Sequence, residues 1–486
     1  MRTTACTLGA ALLLASCASG PAHEPPVRDV PAQWRIDYRT AEALADTRWW
    51  EQFDDPVLNQ LIDTALSNNL DLRIAAARVD QFLGQLVATR SQLYPQVDYS
   101  VSASRNRSSR VGATPLPSDV DPHYSLFQAA IGAQWQLDLF GRIRHQTDAA
   151  RAQVYASEQA RRGVVLTLVT SVASGYVTLR GLDRQLEIAR ATADNYAGTQ
   201  RIFELRFKGG VVSQVELEQV QSQYQQALAA IPGLEEDIAA QENLIAILLG
   251  DYPGPIPRGK SIEALGIPGI PPDLPAALLE RRPDILQAEQ ALEAANANVD
   301  AARALYFPQF SLTGTLGSVS AALSSFLSGP ALAWSVAAGM TGPIFNAGAI
   351  AGQVTSAEAA REEALAGYRS TVLGALRETN DALIGTIKQR EQAQAQVRRV
   401  AALREYARLS RLKFENGYAG YLEVLYAENE LFLAELAAVQ SYSSSYVQLV
   451  NVYKAMGGGW IDLADRQTSA SPRPAIEQRS AEQPLW

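Results

Sequence analysis

Two stretches of this chain occur twice. Residues 71–96, closing on Tyr94-Pro95-Gln96, return as residues 284–309, closing on Phe307-Pro308-Gln309, and residues 207–250 return as 414–457. The register is constant within each pair, as a duplication leaves it. Each copy reads as long helices around two amphipathic strands. Small barrels need about eight strands to close around an interior, so four strands in one chain predict an oligomer.

The strands are legible from their period of two. Residues 96–104 set Val97, Tyr99, Val101 and Ala103 against Asp98, Ser100, Ser102 and Ser104. Residues 128–139 set Ala129, Ile131, Ala133, Trp135, Leu137 and Leu139 against Gln128, Gln134, Gln136 and Asp138. In the second copy, residues 310–316 and 334–341 alternate likewise, with Phe310, Leu312, Leu316, Trp334, Val336 and Met340 on one face. Such segments have the length that a tilted strand needs to cross hydrocarbon. A soluble antiparallel sheet also alternates. The small, almost uncharged polar faces and the lack of further strands for a sandwich favour a barrel. No run of 18 or more apolar residues follows Cys17, so a membrane crossing must use strands.

The N-terminus has the layout of a secretory signal. Arg2 precedes the apolar run 8–14, and Leu14-Ala15-Ser16-Cys17 places small residues directly before a cysteine. That order resembles a bacterial lipobox, in which Cys17 carries S-diacylglycerol and an N-acyl chain (palmitate-type lipid) and becomes the first mature residue; an ordinary signal peptide is the alternative. Ala18, rather than an aspartate, follows, which by analogy with lipoproteins argues against inner-membrane retention. Cys6 and Cys17 are the two cysteines, so the mature chain has no disulfide option. The three histidines are scattered without metal-ligand spacing, and a formal charge of −9 without basic stripes argues against nucleic acid. No nucleophile, paired carboxylate or phosphate loop sits in a catalytic context, so the chain reads as no enzyme and needs no metal or other cofactor.

The helical pattern dominates the remainder. From about residue 144 to 206 no proline intervenes, and Leu168, Val172, Gly175, Leu179, Leu182, Leu186, Ala189, Ala193, Tyr196 and Phe203 mark one seam. That helix would be roughly 90 Å long. Residues 349–413 repeat it. Each long helix ends in a turn, where Gly210 and Gly417 suit the left-handed residue that closes a helix, and returns as a shorter one over 214–249 or 422–456. Pro232 is expected to interrupt the first returning helix. The helices over about 71–94 and 284–307 have nearly the missing length, so a short pair stacked end to end would match one long helix.

With these motifs in place, the chain resembles bacterial outer-membrane efflux proteins, the TolC-like channel group, and within it the NodT-type lipoprotein branch. The residues that carry the likeness run in order: Trp49-Trp50-Glu51-Gln52-Phe53-Asp54-Asp55-Pro56, Tyr94-Pro95-Gln96, Trp135-Gln136-Leu137-Asp138-Leu139-Phe140-Gly141-Arg142, Arg281-Arg282-Pro283-Asp284, Gly342-Pro343-Ile344-Phe345-Asn346-Ala347-Gly348 and Gly457-Gly458-Gly459-Trp460. The resemblance implies an α+β membrane protein. Three chains would share one twelve-stranded β-barrel in the outer membrane and a twelve-column α-helical periplasmic tunnel, working with a periplasmic adaptor and an inner-membrane pump of the resistance-nodulation-division (RND) type. The implied cargo is antibiotics, dyes, detergents or other small toxic compounds.

By the same resemblance the two turns are periplasmic tips. Gly209, Gly210, Val211, Gly417, Tyr418 and Tyr421 stand as adaptor-contact candidates, with packing at the turn as the alternative for the tyrosines. Leu422, Glu423 and Tyr426 would face the axis as the periplasmic aperture, and three copies of Glu423 would bring like charges together. Relatives often carry an aspartate ring at the position of Tyr426, so this chain departs from a purely acidic gate. A TolC-like duct for protein or peptide secretion is the alternative function, and a poreless periplasmic lipoprotein a third. The reading divides the chain into a signal (1–16), a lipidated linker (17–48), a first repeat (49–250), a Pro/Gly-rich inter-repeat equatorial segment (251–276), a second repeat (277–460) and a disordered tail (461–486). Residues 105–124 and 318–332 would be extracellular loops.

Overall fold

The computed structural model describes residues 47–111, 116–117, 119–269, 280–457 and 460–468. The expected signal, Cys17 and nearly all of the linker lie outside the described residues. Two compact units emerge. Over the described residues, one holds Asp80–Ala156 and Ala288–Tyr368, and the other holds 47–79, Ser157–Gln287 and 369–468.

Each repeat follows one plan. In the first, α1 (Pro56–Asn68) and α2 (Leu70–Ser91) precede β1 (Gln96–Arg107) and β2 (His123–Leu137), then α3 (Arg142–Lys208) and α4 (Gln214–Leu248). The second runs α5 (Pro283–Arg303), β3 (Gln309–Ser320), β4 (Leu332–Thr341), α6 (Ala349–Glu415) and α7 (Tyr421–Met456), and α8 (Trp460–Asp465) closes the chain. Equivalent helices match in length, 67 residues for both α3 and α6 and 35 against 36 for α4 and α7.

In the first unit the strands form one antiparallel sheet in the order β1-β2-β3-β4. Its register lines up Tyr99, Ile131, Leu316 and Trp334 in one row across all four strands, and Val97, Ala133, Gly314 and Val336 in the next row on the same face. Tyr99 is 83%, Trp334 73% and Val336 78% exposed. The alternate rows on the other face, Asp98-Gly132-Thr315-Ser335 and Ser100-Ala130-Gly317-Ala333, are polar or small. The strands outrun the expected ones at the hairpin ends, so the loops shrink to residues 108–122 and 321–331. Ser104-Arg105-Asn106-Arg107 is polar on both faces, which erases the alternation although the ladder continues through Asn106↔Tyr124 and Arg107↔His123. At the other end β2 stops two residues early because Asp138 leaves the strand to cap α3, its carboxylate accepting from Ile143 N at 3.1 Å and Arg144 N at 2.8 Å.

The core of the second unit is aromatic. Trp49 stacks on Tyr453 at 4.7 Å and meets Trp50, Phe53 and Trp460 edge-on, all buried. The seam residues of α3 lie against this core, with Leu168, Val172 and Leu179 buried. α3 also holds an 18-residue window of mean hydropathy 1.3, but 61% of that window is buried within the protein. Buried Asp55 fixes the start of α1 by accepting from Val57 N at 2.9 Å, and it also accepts from Tyr176 Oη at 2.8 Å and Lys260 N at 2.9 Å. Burial, and then the bond to Asp55, push the Tyr176 phenol well above its ordinary range. The segment after α4 lies on this core through Ile256, Ile262 and Leu265.

Two expectations are corrected. α4 runs through Pro232 as one helix, since a proline removes only one of its many intrahelical hydrogen bonds. The polar tail does not begin at 461. α8 buries Trp460, Ile461 and Ala464, and Arg161 and Arg162 of α3 pair with Asp465 and Asp462.

The short helices do meet end to end. Asn69 Oδ1 accepts from Leu72 N at 3.0 Å, capping α2, while its Nδ2 donates to Leu248 O at 2.9 Å at the end of α4. At the equivalent position of the second repeat, buried Arg282 donates to Ala455 O at 2.8 Å near the end of α7 and pairs with Asp284 of α5 at 2.6 Å and Glu378 of α6 at 2.9 Å. Arg282→Ala should therefore cost about 2–3 kcal/mol, because it removes a buried guanidinium's bond to Ala455 O, which keeps only Thr379 Oγ1, and its pairing with two half-exposed carboxylates, and Asn69→Ala about 1–2 kcal/mol. Denaturant unfolding of the purified protein checks the order of the two losses, and an Arg282→Ala loss below that of Asn69→Ala would refute it.

Candidate functional site: the paired helix turns

Both long helices end in the same backbone device. Val211 N donates to Arg206 O at 2.9 Å and Gly210 N to Phe207 O at 2.9 Å; Tyr418 N donates to Lys413 O at 2.9 Å and Gly417 N to Phe414 O at 3.0 Å. These are paired six-to-one and five-to-two bonds of Schellman motifs, which need a left-handed residue at their centre. Gly210 at φ +71° and Gly417 at φ +78° supply it, as expected. Open space surrounds both glycines.

The returning helices start differently. Ser213 and Glu216 form a reciprocal capping box at α4, with Ser213 N donating to Glu216 Oε2 at 2.8 Å and Glu216 N to Ser213 Oγ at 3.3 Å. α7 begins after Gly420 with no side-chain cap. Instead ion pairs lace α6 to α7: Arg399–Glu430 at 3.1 Å, Arg404–Glu435 at 2.6 Å, Lys413–Glu423 at 3.1 Å, and Arg411–Glu428. Glu428 is the most sheltered of these carboxylates, and burial pushes its pKa up against the opposing pull of Arg411.

Aromatic packing joins the two turns. Tyr421 of α7 lies 4.3 Å from the Phe203 ring of α3 and 4.9 Å from Phe414 of α6. The Arg206 guanidinium stands 5.8 Å from Phe203 and 5.7 Å from Phe414. Val220, Val424 and Leu425 complete the cluster.

Among the expected contact residues, Gly209, Gly210 and Gly417 lie exposed at the turns, with Val211 73% and Tyr418 85% exposed. Tyr421 is corrected. It is 6% exposed and packs the two turns together, so it presents no surface to a partner, and its buried phenol is pushed up to about 12. Leu422 and Tyr426 sit one helical turn apart on α7, 60% and 59% exposed. Glu423 stands between them in sequence and is paired, its Oε1 accepting from Lys413 Nζ at 3.1 Å and Ser410 Oγ at 3.4 Å. Sequence reading missed Arg206, Lys413 and Arg411, whose partners are brought to them by the turns and by the packing of α3 against α6; basic residues in the last turns of α3 and α6 were the available signal.

Tyr421→Ala should cost about 3–4 kcal/mol through the cavity it leaves, whereas Tyr418→Ala should change stability by less than about 0.5 kcal/mol. Hydrogen exchange of the turn amides reads both, and equal protection in the two variants would refute this packing.

Comparison with known proteins places this geometry. The family profile for outer membrane efflux proteins matches residues 61–251 and 274–458, one match for each repeat. A probable efflux pump outer membrane protein of Pseudomonas putida, TtgC, is 33% identical over 460 residues, spanning 93% of this chain and 94% of the relative. The probable outer membrane lipoprotein SilC of Salmonella typhimurium is 32% identical over 457 residues, spanning 93% of this chain and 97% of the relative. Among solved structures, the open state of the Neisseria gonorrhoeae MtrE outer membrane channel superposes with a TM-score of 0.83 at 28% identity, covering 91% of this chain and 99% of MtrE. The chain thus belongs to the outer membrane efflux protein family and is, in the outer membrane, the exit channel of a tripartite efflux pump.

Proposed function

We propose that three copies of this chain assemble into a lipid-anchored duct that passively conducts drugs or other small toxic compounds outward. The observation that carries the reading is the four-stranded sheet. Its lipid-compatible face is exposed across every strand, and within one chain β1 and β4 each have a neighbour on one side only. Open edges are not tolerated in hydrocarbon, because each unpaired backbone group there costs several kcal/mol. Pairing β1 of one copy with β4 of the next satisfies both edges, and three copies of four strands give a barrel of twelve.

The helical tips then serve the partners. The exposed Gly209, Gly210, Val211, Gly417 and Tyr418 form the contact for a periplasmic adaptor, which links the duct to an inner-membrane pump of the RND type. Leu422, Glu423 and Tyr426 of three copies line the periplasmic aperture, with Glu423 paired to Lys413. Cargo of the drug and solvent class is supported by a relative named for antibiotic efflux and by two named for toluene and solvent efflux. SilC, named a lipoprotein, supports acylation at Cys17.

Purified protein in planar bilayers should form discrete channels, and its deletion should raise drug sensitivity; loss of a secreted polypeptide without a drug phenotype would favour the secretion duct instead. Leu422→Ala with Tyr426→Ala should raise closed-state conductance, and unchanged conductance removes both from the aperture. Cys17→Ser should abolish incorporation of labelled fatty acid; continued labelling would refute the anchor.

A further inference from the structure

The lipid-facing side of β1 does not end in apolar residues. By the continuous register of the β1–β2 ladder, Arg105 and Arg107 stand on the same face as Val97, Tyr99 and Val101, opposite Ser125 and His123. Asn106 points the other way, its Nδ2 donating to Ser104 Oγ at 2.9 Å on the polar face. Both arginines are exposed, and among the described residues neither forms an ion pair.

Their height matters. From Val97 to Arg105 the strand advances about 26 Å, which at a tilt of about 40° is about 20 Å along the membrane normal. With Val97 at the lower limit of an apolar band about 25 Å tall, Arg105 stands about 5 Å below its top, within reach of the interface for a long side chain, and Arg107 at the top. Phe127, opposite Ala103 on this face, places an aromatic ring directly below. A charge on the lipid face costs about 2–4 kcal/mol at mid-membrane but about 0–1 kcal/mol near the interface, so the position is tolerated only there.

The surrounding charges leave the pair positive. Asp121 is the carboxylate beside it, and its Oδ1 already accepts from His123 N at 2.9 Å and lies 3.0 Å from His123 Nδ1. Asp121 also acts on Arg105 through space. Arg110 adds a third guanidinium at the loop, its Nη2 donating to Val120 O at 3.4 Å, against exposed Asp119. This rim is the end of the sheet away from α2, α3 and α6, which enter and leave at Gln96, Leu137 and Thr341.

We infer that Arg105 and Arg107 form an anchoring site for the phosphate groups of lipid headgroups in the outer leaflet of the outer membrane. The inference rests on insertion of the sheet as proposed above. A guanidinium binds phosphate oxygens with paired charge-assisted hydrogen bonds, and two of them about 7 Å apart along one strand present a short cationic ladder to that headgroup layer. Lipid is favoured over a soluble anion because the pair continues an apolar, membrane-facing surface without a pocket to enclose a free ion.

The test uses the purified full-length channel and bisphosphorylated lipid A as the probe. Binding is titrated in mild detergent and read by native mass spectrometry, for the wild type and for Arg105→Gln/Arg107→Gln. The double variant should bind lipid A more weakly on the order of tenfold, with unchanged single-channel conductance as proof of folding and insertion. Dephosphorylated lipid A should bind both proteins as weakly as the variant binds the phosphorylated form. Equal binding by wild type and variant overturns the site, and saturable competition by millimolar inorganic phosphate overturns the lipid assignment in favour of a simple anion site. A wild type that forms no channel at all marks a failure of the insertion reading instead.

Discussion

The structure depends on how short helices are joined into long columns. A helix terminus leaves four carbonyls without intrahelical partners, and a column broken in the middle must satisfy them without water. In the first repeat the turn at Gly250 takes Ala246 O and Ile247 O, and Asn69 takes Leu248 O with its amide while capping α2 with its oxygen. In the second repeat the equivalent Arg282 reaches Ala455 O and is itself neutralised by Asp284 and Glu378. One position thus performs one task with two chemistries. The neutral amide needs no counter-charge, whereas the buried guanidinium requires two carboxylates. Close packing at the junction adds a second constraint, since a side chain at Gly250 would meet Asn68 O at 2.5 Å.

The sheet obeys a different constraint. Its two faces are sorted by row, with Tyr99, Ile131, Leu316 and Trp334 on one side and Asp98, Gly132, Thr315 and Ser335 on the other. A one-residue slip between any two strands would mix these rows. Asp98 is the one carboxylate among these rows, and its Oδ1 would lie 3.0 Å from a side chain at Gly132, so glycine there gives it room. The same sorting carries Arg105 and Arg107 outward once the apolar residues end.

At the turns, duplication preserved the backbone and changed what reinforces it. Both turns use a glycine-centred Schellman motif, but α4 is secured by a local capping box and α7 by ion pairs reaching back to α6. A capping box holds its own helix start and nothing else. Ion pairs along α6 and α7 tie one helix to another, so the position of the second turn depends on contacts spread over its flanks. Tyr421, between Phe203 and Phe414, then couples the two turns to each other.

The amino-acid order alone determined the element sequence, the matched lengths of the repeats, the two faces of every strand and the glycines that end α3 and α6. Those features are local: a period of two or of three to four residues, and a φ that glycine alone adopts readily. The placing of Leu422 and Tyr426 near the second turn came from the family resemblance rather than from any period. The tertiary structure decided the rest. Tyr421 is a packing residue because Phe203, more than two hundred positions earlier, lies against it, and Glu423 is paired because α6 brings Lys413 beside it. α8 forms because Trp460 fills the aromatic core. Tyr421 and α8 depend on partners hundreds of residues away and Glu423 on the turn that folds α7 back on α6, and sequence periodicity carries no information about which partner arrives.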